Sequence, residues 1–212
     1  ACGGTGSGGT GSGGSGGGAG GGSATNEDIA SLNALLAAEY KAIDAYTQGA
    51  GVLQSMSDDL SKLVLAVAVE FQKDHQEHAG LLAKTVKDLG GTATTAAANK
   101  FTLPTGFKPS TTNVLKLACN EERRAAVAYN QVIKALKNST NRFIAAAIQG
   151  DETQHYVVLA ALIEGLVEPT AKLTPTSGAD KVVPQAFVSA TTAQGGGTGL
   201  QSEADLATND TM

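Results

Sequence analysis

Asp74-His75-Gln76-Glu77-His78 and Asp151-Glu152-Thr153-Gln154-His155 together hold all three histidines of the 212-residue chain. In each, two residues of metal-ligating type stand three apart, His75 with His78 and Glu152 with His155. At about 100° per residue such a pair projects from one helix face, as two ligands of one ion must. Upstream of each segment lies another matched pair, Glu39 with Tyr46 and Glu122 with Tyr129, each seven residues apart and so returned to nearly the same face.

The two halves therefore repeat. Setting Glu39 on Glu122 also sets Leu32 on Leu115, Ala42 on Ala125, Ala45 on Ala128 and Tyr46 on Tyr129, while the downstream segments align Asp74 on Asp151 and His78 on His155. Each half reads as a helical hairpin. A hydrophobic content of 42% against 17% charged residues is enough for a core, and its Ala, Leu and Val with no Trp suit close helix packing better than sheet, so the domain is expected to be all-α. A net charge of -5 argues against a nucleic-acid partner, because phosphate binding needs clustered Lys and Arg. No apolar stretch approaches the ~20 residues of a membrane span.

Periodicity and punctuation predict four helices. The first runs from Asn26, as N-cap, to about Gln48, with Glu27 and Asp28 in its first turn and Gly49 and Gly51 stopping it. The second spans about Ser57 to Leu89 and ends at Gly90-Gly91. Residues 92–109 lack helical periodicity and contain Pro104, Gly106 and Pro109, as a long connection would. The third begins near Ser110 or Thr111 and reaches about Lys137, and after a short turn at Asn138-Ser139 the fourth runs from about Thr140 to Leu166. Residues 1–25 form a Gly/Ser-rich tail or tether, with 14 Gly in the first 22 residues. Residues 169–212 are a polar tail with one apolar patch, 182–188, that suits a short extended segment.

The order of motifs, Glu39, then a His pair, then Glu122, then Glu152-x-x-His155, resembles the ferritin-like superfamily of ferritins, rubrerythrins and bacterial envelope proteins. The resemblance covers residues 26–168, about two thirds of the chain. It implies an antiparallel four-helix bundle with a long crossover between the second and third helices. It also implies a di-iron carboxylate centre with Glu39, His75, His78, Glu122, Glu152 and His155 as ligands. His75 departs from that pattern, which has a carboxylate there, and leaves three carboxylates facing up to four positive charges. Glu70, the single acid in the apolar run Leu63–Phe71, is the reserve ligand, since a charge there is costly without a partner. Asp74 and Asp151 suit the outer role of accepting a hydrogen bond from the free ring nitrogen of the histidine on the opposite helix. One or two iron ions are implied, and manganese or zinc also suits this ligand mixture. Tyr40, Tyr46 and Tyr129 are candidate redox relays.

Ala1-Cys2-Gly3-Gly4 looks like the end of a bacterial lipoprotein signal with a lipid anchor at Cys2, while the residue before the Cys fits cleavage one residue earlier by an ordinary signal peptidase; either route implies an extracytoplasmic location, in the cell envelope or secreted. Cys119 aligns with Leu36 and reads either as a small buried hydrophobe or as the disulfide partner of Cys2 in another subunit. Two functions stay open. One is an exported metal protein with oxidase, peroxidase or storage chemistry. The other is a self-associating subunit of an extracellular filament joined through the Gly-rich tail.

Overall fold

In a computed structural model of the protein, residues 19–165 are described, with side chains from residue 22. They form an all-α four-helix bundle: α1 (Ala19–Leu53), α2 (Asp59–Asp88), α3 (Thr111–Ala135) and α4 (Ser139–Ile163). Residues 1–18 of the Gly-rich tail, Cys2 among them, and the 182–188 segment lie outside the described residues, whereas residues 19–25, expected to belong to the tail, form the start of α1. Among those described, no helix is long and apolar enough to cross a membrane.

Three helix starts carry side-chain caps. Asp58 accepts from the Ser61 N–H, Ser110 from Asn113 and Asn138 from Thr140 and Asn141, satisfying N–H groups that have no partner within the helix. Gly90, at φ 82°, takes the left-handed position that ends α2. Beside it the chain presses on α1 so closely that a Cβ on Gly91 would lie 2.7 Å from Ile29 Cγ2.

α1 departs from expectation at both ends. Asn26 is an interior residue rather than the N-cap, and the helix continues through Gly49 and Gly51 for another turn. A glycine costs a helix only about 1 kcal/mol, which the burial of Leu53 in the core outweighs. Gly49 also has a use, because a Cβ there would stand 3.2 Å from Val114 of α3.

α1 pairs with α2 and α3 with α4 as two hairpins, and α1 of one lies against α3 of the other. Each end of the bundle is closed by an apolar cluster, one around Leu53, Val64, Val114 and Leu159, the other around Leu32, Leu82, Leu136 and Ile148. α2 ends at the second cluster and α3 starts at the first, so residues 89–110 run the length of the bundle as the expected crossover. α1 holds it in place. Asn33 bonds the backbone at Thr92 and Thr94, and Asp44 and Gln48 bond it at Phe101. Between the two apolar ends lies one polar layer.

Candidate metal centre

Glu39 of α1, His75 and His78 of α2, Glu122 of α3, and Glu152 and His155 of α4 converge in that layer, none more than 7% exposed. They divide into two overlapping groups, Glu39, His75, His78 and Glu152, and His75, Glu122, Glu152 and His155, each with one ligand atom per residue within 4.8 Å of the others. Each helix supplies its members because i,i+3 spacing on α2 and α4, and single inward positions on α1 and α3, all face the bundle axis.

The repeat reappears as crossed contacts. Tyr46 of α1 donates to Glu122 of α3, and Tyr129 of α3 donates to Glu39 of α1. His78 Nε2 lies 3.3 Å from Asp151 Oδ2, and His155 Nε2 lies 3.1 Å from Asp74 Oδ2, each carboxylate on the opposite hairpin, as its sequence position suggested. With Nε2 so engaged, both histidines turn Nδ1 toward the centre. Nδ1 of His155 is 3.3 Å from Glu122 Oε2, and Nδ1 of His78 is 3.1 Å from Glu152 Oε1. Phe71 stacks on the His155 ring at 4.0 Å and fixes its plane.

Charge is distributed unevenly. Burial would push Glu39 and Glu122 up, but the neighbouring His75 with His78 or His155 outweighs it and holds both carboxyls below their ordinary range. Burial likewise opposes charge on His78, yet Glu152 and Glu39 beside it raise it to about 10, and Glu122 with Glu39 raises His75 well above its usual value. Glu152 goes the other way. Burial, added to the negative charges of Glu122 and Glu39, pushes it up to about 8. The Tyr46 and Tyr129 hydroxyls are raised by burial and by the carboxylate each one serves, so they stay protonated donors.

The donor set fits a metal. Both Glu152 oxygens and His78 Nδ1 are buried without a hydrogen-bond partner, because the 3.1 Å approach between them is off the hydrogen-bonding line. Orphaned carboxylate oxygens cost several kcal/mol unless a cation receives them. Spacings of 2.8–3.6 Å between the facing His and Glu atoms match neighbouring ligands on one ion, for which bonds of about 2.1 Å give edges of about 3 Å.

Glu70 is not brought in. It is exposed and pairs with Lys73 at 2.8 Å, one turn away on the outer face of α2. The apolar run around it did not mean burial, since Ala66 and Val69 on that face are exposed too. Cys119 is wholly buried, and burial with nearby Glu122 pushes its thiol up to about 12, so a bond to another subunit's Cys2 would require the core to open. Tyr40 is half-buried against the apolar end cluster rather than in the polar layer.

Two features escaped the sequence. A cavity of about 300 Å3 opens between α1 and α3 beneath Phe101 and Phe107 of the crossover and reaches Glu39, Glu122 and Glu152. Its walls include Ala42 with Ala125 and Ala45 with Ala128, repeat partners whose small side chains leave the gap. Asp28 is buried and accepts from the Lys137 and Asn138 N–H groups and from Asn141 Nδ2, joining α1 to the α3–α4 turn. Nothing in its local sequence marks a contact 109 residues away.

Fold and layer together define a helical bundle of the carboxylate-and-histidine type. The chain belongs to the ferritin-like domain family, whose pattern matches residues 27–165. Among solved structures it is similar to ferritin-like, diiron-carboxylate proteins from Bacillus anthracis str. Ames, with 26% identity over 66% of this chain and 97% of that one and a TM-score of 0.55. A conserved hypothetical protein, rv2844, from Mycobacterium tuberculosis shares the fold, with 24% identity over 72% of this chain and 99% of that one and a TM-score of 0.56. No curated protein matches the chain.

Proposed function

We propose that the protein binds iron, or a transition metal of similar ligand preference, in the polar layer and serves oxidase- or peroxidase-type chemistry there. The observation that carries this reading is Glu152, wholly buried on α4 with neither oxygen hydrogen-bonded and with Oε1 3.6 Å from His75 Nδ1 and 3.1 Å from His78 Nδ1. Buried carboxylates and histidines that merely neutralise one another would be hydrogen-bonded, and neither Glu152 oxygen is. The diiron-carboxylate description of the Bacillus anthracis relative supports iron.

The bound metal would supply the redox change. Glu39, Glu122, Glu152, His78 and His155 would hold it, with Nδ1 as the ligating nitrogen of the last two. Tyr46 and Tyr129 fix the rotamers of Glu122 and Glu39, while Asp151 and Asp74 hold the Nε2–H tautomers. The cavity between α1 and α3, lined mostly by Ala, Val, Leu and Phe side chains, suits a small neutral oxidant.

Elemental analysis of the purified protein tests the reading. Metal in the wild type and its loss in Glu122→Ala and His155→Ala, with helical circular dichroism unchanged, is the expected result. Full metal retention in both variants, or a wild type that takes up no iron, manganese or zinc, overturns it.

A further inference from the structure

Two residues belong to both ligand groups, His75 and Glu152. They are also repeat partners, because the alignment of Asp74 on Asp151 sets His75 on Glu152. The remaining ligands divide cleanly, Glu39 and His78 to one half, Glu122 and His155 to the other. His75 and Glu152 thus occupy the middle of the layer, where a residue must serve both halves.

Glu152 has two oxygens for that purpose. His75 has two ring nitrogens, and they point to opposite halves. Nδ1 lies 2.8 Å from Glu39 Oε2 and 3.6 Å from Glu152 Oε1, while Nε2 lies 3.1 Å from Glu122 Oε1. The Glu39 and Glu122 contacts are aligned for hydrogen bonding, so the carboxylate of each half lies along one of the ring's in-plane nitrogen directions. His78 and His155 are built differently, since each commits Nε2 to an outer aspartate and keeps only Nδ1 for the centre. Among the described residues no outer carboxylate engages His75, which is 1% exposed and has both nitrogens turned inward.

We infer that His75 bridges two metal ions through its two ring nitrogens, as an imidazolate in place of a carboxylate bridge. This rests on the metal reading above and adds the number of ions and the nature of their link. Binding balances as follows. The metal-free ring between Glu39 and Glu122 is an imidazolium with an N–H on each nitrogen, and both protons leave to solvent as the two ions take their places. The imidazolate then adds one negative charge to those of Glu39, Glu122 and Glu152. Four negative charges meet two divalent ions, and the charge shortfall left by histidine at this position disappears. A buried site gains most from such neutrality, because uncompensated charge is costly there.

Copper(II) is the probe, since an imidazolate couples two copper spins antiferromagnetically and two separate coppers give a full two-spin resonance. The full chain is stripped with chelator, loaded with copper, and measured for copper per chain and for electron paramagnetic resonance intensity. Two coppers per chain with an intensity far below that of two independent ions is expected in the wild type. His75→Gln should then hold a single copper, or two whose resonance returns to full intensity. His75→Glu should keep two ions by bridging through a carboxylate. A wild type with one copper per chain, or with two uncoupled ones, overturns the bridge and leaves the metal reading standing. Coupling that persists in His75→Gln also overturns it, because Glu152 alone would then carry the link. A wild type that takes up no copper, iron, manganese or zinc sinks both readings together. Should His75→Gln lose its helical signal, the wild-type intensity and the His75→Glu loading still decide.

Discussion

Glu152→Gln in metal-free protein separates what the site costs from what it does. The Glu152 carboxyl is wholly buried and sits at about 8 in the folded state against an ordinary 4.5. Between those values the folded chain keeps a proton that the unfolded chain has released. The folded state therefore binds more protons than the unfolded one, and stability falls with rising pH by about 1.4 kcal/mol per unit across that window. By pH 7 the cost is about 3 kcal/mol, while below 4.5 it vanishes. Glutamine keeps the shape and polarity of the protonated acid and has no proton to hold, so burial costs nearly cancel between the two. The chelator-treated variant should thus be more stable than the wild type by about 3 kcal/mol at pH 7, a rise in midpoint temperature of roughly 6–12 °C, and by under about 1 kcal/mol at pH 5. Urea unfolding followed by circular dichroism at the two pH values measures both differences. A variant no more stable than wild type at pH 7, or an advantage that does not shrink at pH 5, refutes the reasoning. The same variant should bind metal poorly, which places stability and function in opposition at one side chain.

Asp74→Asn and Asp151→Asn should each lower metal affinity about 10- to 100-fold, because the Nε2–H of His155 or His78 loses its anionic acceptor, and competition with a coloured chelator reads this directly. Asp28→Ala should cost about 2–4 kcal/mol in urea unfolding, since two backbone N–H groups and the Asn141 amide lose their acceptor, while metal content per folded chain stays unchanged. Cys119 should resist thiol reagents in the folded protein and react at the global unfolding rate, with burial and nearby Glu122 keeping it a thiol; fast labelling of the native chain would contradict its place in the core.

What was legible in the sequence is what repeats at helical spacing. Glu39, Glu122 and the two i,i+3 pairs were readable because a residue of the polar layer must face the axis, and facing the axis leaves a period. The Gly90-Gly91 stop, the Asn138-Ser139 turn and the proline-marked crossover were readable because each is a local backbone requirement. Positions decided by contacts between distant segments were not. Gly49 and Gly51 are local helix-stopping signals, yet α1 runs through them because the burial of Leu53 and the close approach of Val114 outweigh their propensity. Asp28 looks like first-turn decoration until the α3–α4 turn is seen resting on it.

Glu70 and His75 show where that limit falls inside the site itself. The apolar neighbours of Glu70 suggested burial, but α2 presents Ala66, Val69 and Glu70 outward together, and a hydrophobic run does not say which side of a helix the rest of the bundle covers. His75 looked like a deficiency, one carboxylate too few for two ions. Its position could be read from the repeat, while its chemistry could not, because an imidazole differs from a carboxylate chiefly in where its two donor atoms point. In the folded chain they point to Glu39 on one side and Glu122 on the other, with Glu152 facing both. The residue that broke the pattern is therefore the one placed to join its halves, and the copper resonance of the wild type and of His75→Gln is the measurement on which that turns.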